Sequence, residues 1–178
     1  PTHQVYLDEI LPDGIRTLDT LLIVNGDFSY RMEHEEAGLF RLRFSDTNFL
    51  TFSGKGNDRL VFSGNAEDLP HTYSVRGNIS SDILWKANCR INEMYALTDS
   101  LSRLFVQAKN GEEIQKISQT LDSCYNARFQ ICKNHLEALI RNHPEDIAVL
   151  PVFYQRVGTR PFFSEKEDTA LFQEMVKN

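Results

Sequence analysis

The spacing of apolar residues changes once along this chain, at Gly77-Asn78. Before that point apolar and polar residues alternate in short runs, the period of strands. After it, they recur every three to four residues, the period of helices. A chain patterned in this way is limited to an α+β fold with its strands in the first half and its helices in the second.

The strand half reads as short β segments separated by turn chemistry. Val5-Tyr6-Leu7 opens it, and Leu11-Pro12-Asp13-Gly14 suits a turn. Residues 17–24 are β-branched and apolar and end at Asn25-Gly26, a pair that accepts positive φ at both centres of a tight hairpin. The expected partner strand is residues 27–31, with Phe28 and Tyr30 on one face, followed by a polar loop over 32–37. Residues 39–44 alternate strongly. Phe40, Leu42 and Phe44 fall on one side and Arg41 and Arg43 on the other, the pattern of a half-buried antiparallel strand with a wet face. Residues 49–52, 60–62 and 73–75 complete the set. Short strands at this spacing predict an antiparallel β-sandwich or open barrel over residues 1–78.

From Ile79 onward, Leu84, Ala87, Ile91, Met94, Leu101 and Phe105 lie on one helix face. Asn110-Gly111 breaks the run, as glycine does just past a helix end. Ile114, Ile117, Leu121, Cys124, Ile131 and His135 form the stripe of a second helix, widened by Phe129, Cys132, Leu136 and Leu139. The helical region, 79–178, is therefore expected to hold a long antiparallel hairpin over about 79–108 and 112–142. Two shorter helices follow, over about 144–156 and 165–177. His143-Pro144-Glu145-Asp146 resembles a helix start, Pro151 a stop or kink, and Ser164-Glu165-Lys166-Glu167 a capping box.

Composition narrows function chiefly by exclusion. A hydrophobic fraction of 41% can build a core without metal or a disulfide net. The formal net charge is -6, with twelve acids against seven bases in residues 1–78 and thirteen against twelve thereafter. That balance argues against nucleic acid as a partner. No apolar run approaches a transmembrane length. The start at Pro1-Thr2-His3, without methionine, reads as a trimmed or processed chain.

Few residues gather into a chemical pattern. His34-Glu35-Glu36 can ligate a divalent ion, but a solvated acidic loop is the simpler reading. His135, on an apolar stripe, reads as a core histidine. Gly54-Lys55-Gly56 lacks the rest of a phosphate loop and reads as a hairpin turn. Gly-x-Ser-x-Gly and Cys-x-x-Cys motifs do not occur. No catalytic, cofactor-binding or metal-binding residue emerges, and the chain is expected not to be an enzyme. Cys124 and Cys132 lie roughly 12 Å apart along one helix at 1.5 Å per residue, too far to bridge. A hairpin turning near 109–110 places Cys89 opposite about residue 130, so a Cys89–Cys132 bridge is conceivable in an oxidising compartment. Free thiols acting as small hydrophobes are the favoured alternative. Phe28, Tyr30, Phe40, Phe44, Phe49, Phe52, Phe62 and Tyr73 can serve either as core or as a sugar- or peptide-binding face, with core favoured. Asn78-Ile79-Ser80 matches an N-glycosylation pattern that also occurs by chance.

Three strings carry a family resemblance: Leu18-Asp19-Thr20 through Asn25-Gly26-Asp27-Phe28-Ser29-Tyr30; Tyr73-Ser74-Val75-Arg76-Gly77-Asn78 leading into a long helix; and Asn142-His143-Pro144-Glu145-Asp146-Ile147-Ala148. Together they resemble domain-of-unknown-function family 4369. That family forms the N-terminal domain of thioredoxin-like thiol–disulfide oxidoreductases (AhpC/TSA type) of the bacterial cell envelope. The resemblance implies a non-catalytic accessory domain that positions a redox module or binds a client, periplasmic or lipid-anchored. The Cys-x-x-Cys of such a module is not among these residues, so no catalytic role transfers. Asp19-Thr20-Leu21 and Asp99-Ser100-Leu101 resemble O-glycan acceptor sites of such bacteria. A stand-alone glycan- or peptide-binding module of the envelope is the rival expectation.

Overall fold

In the computed structural model, which describes residues 3–107 and 111–177, β1 (His3–Leu11) and β2 (Gly14–Ile23) form a hairpin about Pro12 and Asp13. Strands β3 (Gly38–Arg43) and β4 (Phe49–Gly54) join them in one antiparallel sheet of order β2-β1-β3-β4. The sheet ends on β2 and β4, so it is not a closed barrel. Strand alternation puts Val5, Leu7, Leu21, Phe40, Leu42, Leu50 and Phe52 on one buried face.

The register is regular except between Leu7 and Asp8, where Leu7 faces Asp19 but Asp8 faces Thr17. Leu18 is thus an extra residue in β2, a bulge that brings the Thr17 hydroxyl rather than an apolar side chain opposite Asp8. Asp8 is fully buried on the face of the sheet away from the apolar core. Arg41 and Arg43 lie over it, donating at 2.7–2.9 Å and 2.7–3.3 Å, and Thr17 donates at 2.8 Å. The face expected to be wet keeps Thr17 and Thr20 exposed and Arg41 and Arg43 partly so, but it also buries Asp8, whose carboxylate the two guanidiniums cover and satisfy. Burial pushes the Asp8 carboxyl up, but the hydrogen bonds from Arg43, Thr17 and Arg41 outweigh it and hold it at about 2.

Asn25 and Gly26 adopt positive φ (55° and 89°), and Val24 and Asp27 exchange both backbone hydrogen bonds, as the Asn-Gly pair predicts. The expected strand over 27–31 does not follow; Val24 and Asp27 form an isolated bridge and no more. The chain leaves the sheet edge because Phe28 and Met32 turn onto the apolar core face. Burying those side chains outweighs the ladder bonds a further strand would add.

Helix α1 (Leu69–Thr72) lies between β5 (Val61–Ser63) and β6 (Ser74–Arg76), which pair as a separate two-stranded ribbon. Gly54-Lys55-Gly56 is therefore a connection from the sheet to this ribbon rather than a hairpin. Gly77 follows at φ 130°, against the Arg59 carbonyl. Asn78 then opens helix α2 (Ile79–Gln107). Its side-chain oxygen accepts from the Ser81 amide at 2.8 Å, and its amide donates to the Ser53 carbonyl (2.9 Å) and to Asp58 (2.7 Å). The Ser81 hydroxyl donates to the Ser53 carbonyl and accepts from the Ser53 amide, which occupies the open edge of β4.

The chain divides into two compact units, one running to Lys86 and including Glu145–Leu150, the other comprising Ala87–Pro144 and the residues from Pro151 on. In the second unit, α2 continues and α3 (Gly111–Asn142) follows. Asn110 and Leu101 and Phe105, on which part of the helical pattern rested, lie outside the described residues and side chains. Ala87, Ile91 and Met94 of α2 are buried, as are Phe129, Cys132, Leu136 and Ile140 of α3. The expected α3 stripe is displaced: Ile114, Cys124, Ile131 and His135 are exposed, and the face centred on Phe129 and Leu136 is the buried one. Periodicity locates a helix better than it locates the centre of its buried arc, which the packing partners choose.

The helix expected over 144–156 is shorter, α4 (Val149–Phe153), and Pro151 stands within its first turn, where its missing N–H breaks no helical bond. A hairpin of β7 (Arg156–Val157) and β8 (Arg160–Pro161) succeeds it. The Ser164 hydroxyl accepts from the Glu167 amide as a cap would, but Asp168 ends the turn and α5 (Thr169–Val176) starts there. The core of this region is aromatic: Phe129 stacks on Phe162 at 4.6 Å and Phe153 on Phe163 at 5.4 Å, with the Arg160 guanidinium 3.8 Å over Phe129.

Candidate ligand-binding groove

Where residues 27–32 leave the sheet and residues 54–62 cross to the ribbon, they enclose a groove of about 560 Å³ in the first unit. Its floor is core: Leu7, Leu21, Leu42 and Phe52. Its walls are Phe28, Met32, Leu60 and Phe62, which are half-buried. Tyr30, Arg31, Lys55 and Arg59 line it from exposed positions, as does Asp27. An apolar floor with convergent polar groups at the opening is the usual construction of a binding site, and the volume suits a few side chains or one small ligand.

Local hydrogen bonds hold both walls. The Gly56 amide donates to the His34 carbonyl at 2.6 Å, so the two segments are joined backbone to backbone. A Cβ on Gly56 would stand 3.1 Å from the His34 and Met32 carbonyl oxygens, a close approach of the two segments. Asp58 accepts from the Lys55 amide at 3.1 Å and from Asn78, which fixes the 54–58 turn to the start of α2. His34 Nε2 lies 3.3 Å from Glu9, and its ring meets Phe40 edge-on at 5.3 Å. Glu9, buried at the end of the apolar face, is also held by Arg16.

The residues singled out from the sequence fall in separate places. His34 joins Glu9 rather than a metal set with Glu35 and Glu36, which are exposed, and among the described residues no group of three or more His, Cys, Asp or Glu is placed to hold an ion. His135 is exposed, its Nδ1 2.8 Å from the Ile131 carbonyl, so it is a surface histidine and not a core one. The Asn78 amide is committed to Ser53 and Asp58, which leaves it no freedom as a glycan acceptor. Thr20 and Ser100 are exposed. Of the eight aromatics, Phe40, Phe52 and Tyr73 are buried, Phe28, Phe44, Phe49 and Phe62 are half-buried, and Tyr30 is 41% exposed. Core is the main role, yet Phe28, Tyr30, Phe52 and Phe62 also line the groove.

All three cysteines are free. Cys89 and Cys132 both lie near Glu93 and Arg90, which sets that turn of α2 beside α3. Burial pushes the Cys89 thiol up and Cys132 to about 11, with Glu93 adding in each case.

Sequence reasoning missed the Asp8 cluster and the groove. The first had a signal: an acid within an apolar strand, and two arginines two positions apart on another. The second had none, because its walls come from residues read as a strand and a turn.

No described helix is long and apolar enough to cross a membrane. Family models, curated proteins and solved structures were compared with the chain, and none matches it.

Proposed function

We propose that this chain is a non-catalytic accessory domain of the cell envelope that binds an extended segment of a client or partner protein in the Phe28–Phe62 groove. The observation that carries this reading is an apolar floor continuous with the core yet open between two pinned segments. Such a site gains affinity by burying apolar side chains and selectivity from the polar groups around it. The resemblance to family 4369 supplies the setting, a domain ahead of a thioredoxin-like thiol–disulfide oxidoreductase. We read the β5–β6 ribbon, whose Phe62 meets Phe52 of the sheet edge-on at 4.9 Å, as the second layer of a small sandwich.

A glycan-binding module is the second reading, favoured by Tyr30 at the opening. One exposed ring is a poor stacking platform for a sugar, and the remaining aromatic surface is recessed, so a peptide fits better.

The test is a titration of the isotope-labelled chain with apolar hexapeptides and, separately, with oligosaccharides, followed by amide and methyl shifts. Peptide shifts centred on Leu60, Phe62, Phe28 and Met32 are expected; shifts confined to other surfaces would remove the groove from the reading. A disulfide-reductase assay on this chain is expected to show no turnover, and activity comparable to a thioredoxin would overturn the non-catalytic assignment.

A further inference from the structure

The basic residues of the first 78 positions are unevenly committed. Arg41 and Arg43 are held by Asp8, and Arg16 by Glu9. Of the four others, Arg31, Lys55 and Arg59 all line the groove, and among the described residues none of these three side chains has a hydrogen-bond or ion-pair partner. The acids around the groove are fewer. Asp58 is occupied by Asn78 and the Lys55 amide, which leaves Asp27, beside Gly26. A stretch of chain with twelve acids and seven bases thus gathers uncommitted cations around this apolar groove.

We infer that the groove selects an acidic client segment, in which apolar side chains that enter the floor are flanked by aspartate, glutamate or a terminal carboxylate. This rests on the groove being the binding site and adds the charge of what it binds. Arg31 comes from the 27–32 wall, and Lys55 and Arg59 from the 54–62 wall. Anions on either side of an apolar core would therefore meet a cation from each wall. Exposed charge pairs act mainly on selectivity and encounter rate, so the preference should be modest and sensitive to salt.

The experiment uses the whole chain and two fluorescent octapeptides sharing a Leu-Phe-Leu-Phe centre, one with paired glutamates at each end and one with paired lysines. Fluorescence polarisation at low salt is expected to give roughly tenfold tighter binding of the acidic peptide, as three exposed ion pairs would allow. The gap should close in about 0.5 M salt and in the triple variant Arg31→Gln/Lys55→Gln/Arg59→Gln. These side chains are exposed, so the variant should keep its fold, which circular dichroism checks. Equal binding of the two peptides would overturn the charge preference and leave the groove reading standing. Binding of neither would remove both. A long-chain fatty acid that binds where the acidic peptide does not would reassign the groove to lipid and overturn the inference.

Discussion

Arg43 donates through Nε to the Asp8 carboxylate at 2.7 Å, across a face of the sheet where Asp8 has no exposed surface. The pair is completed by Arg41 from the same strand and by Thr17 from a bulged neighbour. Two cations around one buried anion make the carboxylate hard to replace.

Asp8→Asn should therefore destabilise the chain by about 3 kcal/mol, because it leaves two guanidiniums without their anion. The acid limb of the stability profile should change as well. The folded Asp8 carboxyl sits at about 2 against an ordinary 3.8, so its contribution is fully present above pH 3.8 and fades as pH falls toward 2. By linkage that contribution is about 2 kcal/mol. Urea denaturation from pH 6 to 2 should show this loss in the parent chain and a flatter profile in Asp8→Asn. Identical slopes would mean that the cluster does not stabilise the fold.

Gly77→Ala should be among the costliest single changes. A Cβ there would overlap the Arg59 carbonyl oxygen, at a φ of 130° that side chains rarely adopt. A loss of about 2–4 kcal/mol is expected. Gly26→Ala, at φ 89° but in open space, should cost about 1 kcal/mol. Thermal denaturation of both variants orders them, and a milder Gly77→Ala would contradict the close approach.

Asn78→Ala removes the cap of α2 and two donations that tie the helix start to β4 and to the 54–58 turn. The expected cost is about 2 kcal/mol. Hydrogen exchange should quicken at the Ser81 amide, which loses its acceptor, and at Lys55, whose partner Asp58 loses its tether. Asn78→Asp should keep the cap, so protection at Ser81 should survive while that at Lys55 falls.

The cysteines should react in the order of their exposure. Cys124 is exposed and should be alkylated first at pH 8; Cys89, half-buried with its thiol pushed up, should follow. Cys132, buried and held at about 11, should wait for unfolding. A count of titratable thiols in denaturant is expected to give three. A count of one would mean that two of the three are bridged, and peptide mapping would then show whether they are Cys89 and Cys132.

The alternation of Phe40 and Leu42 with Arg41 and Arg43, the Asn25-Gly26 turn and the shift of period at Gly77 are local statements about backbone and side-chain direction. They were legible in the sequence, and α2 (Ile79–Gln107) and α3 (Gly111–Asn142) fall almost where their spacing puts them. What the sequence could not determine depends on residues far apart in the chain. Phe28 and Met32 abandon a strand register for a core face built by β1, β3 and β4; Asp8 is tolerated because residues 33 and 35 positions later close over it. The groove follows from the first of these choices, since its walls exist because one segment left the sheet. Hydrophobic burial is non-directional, and long-range ion pairing depends on register, so tertiary packing decides both.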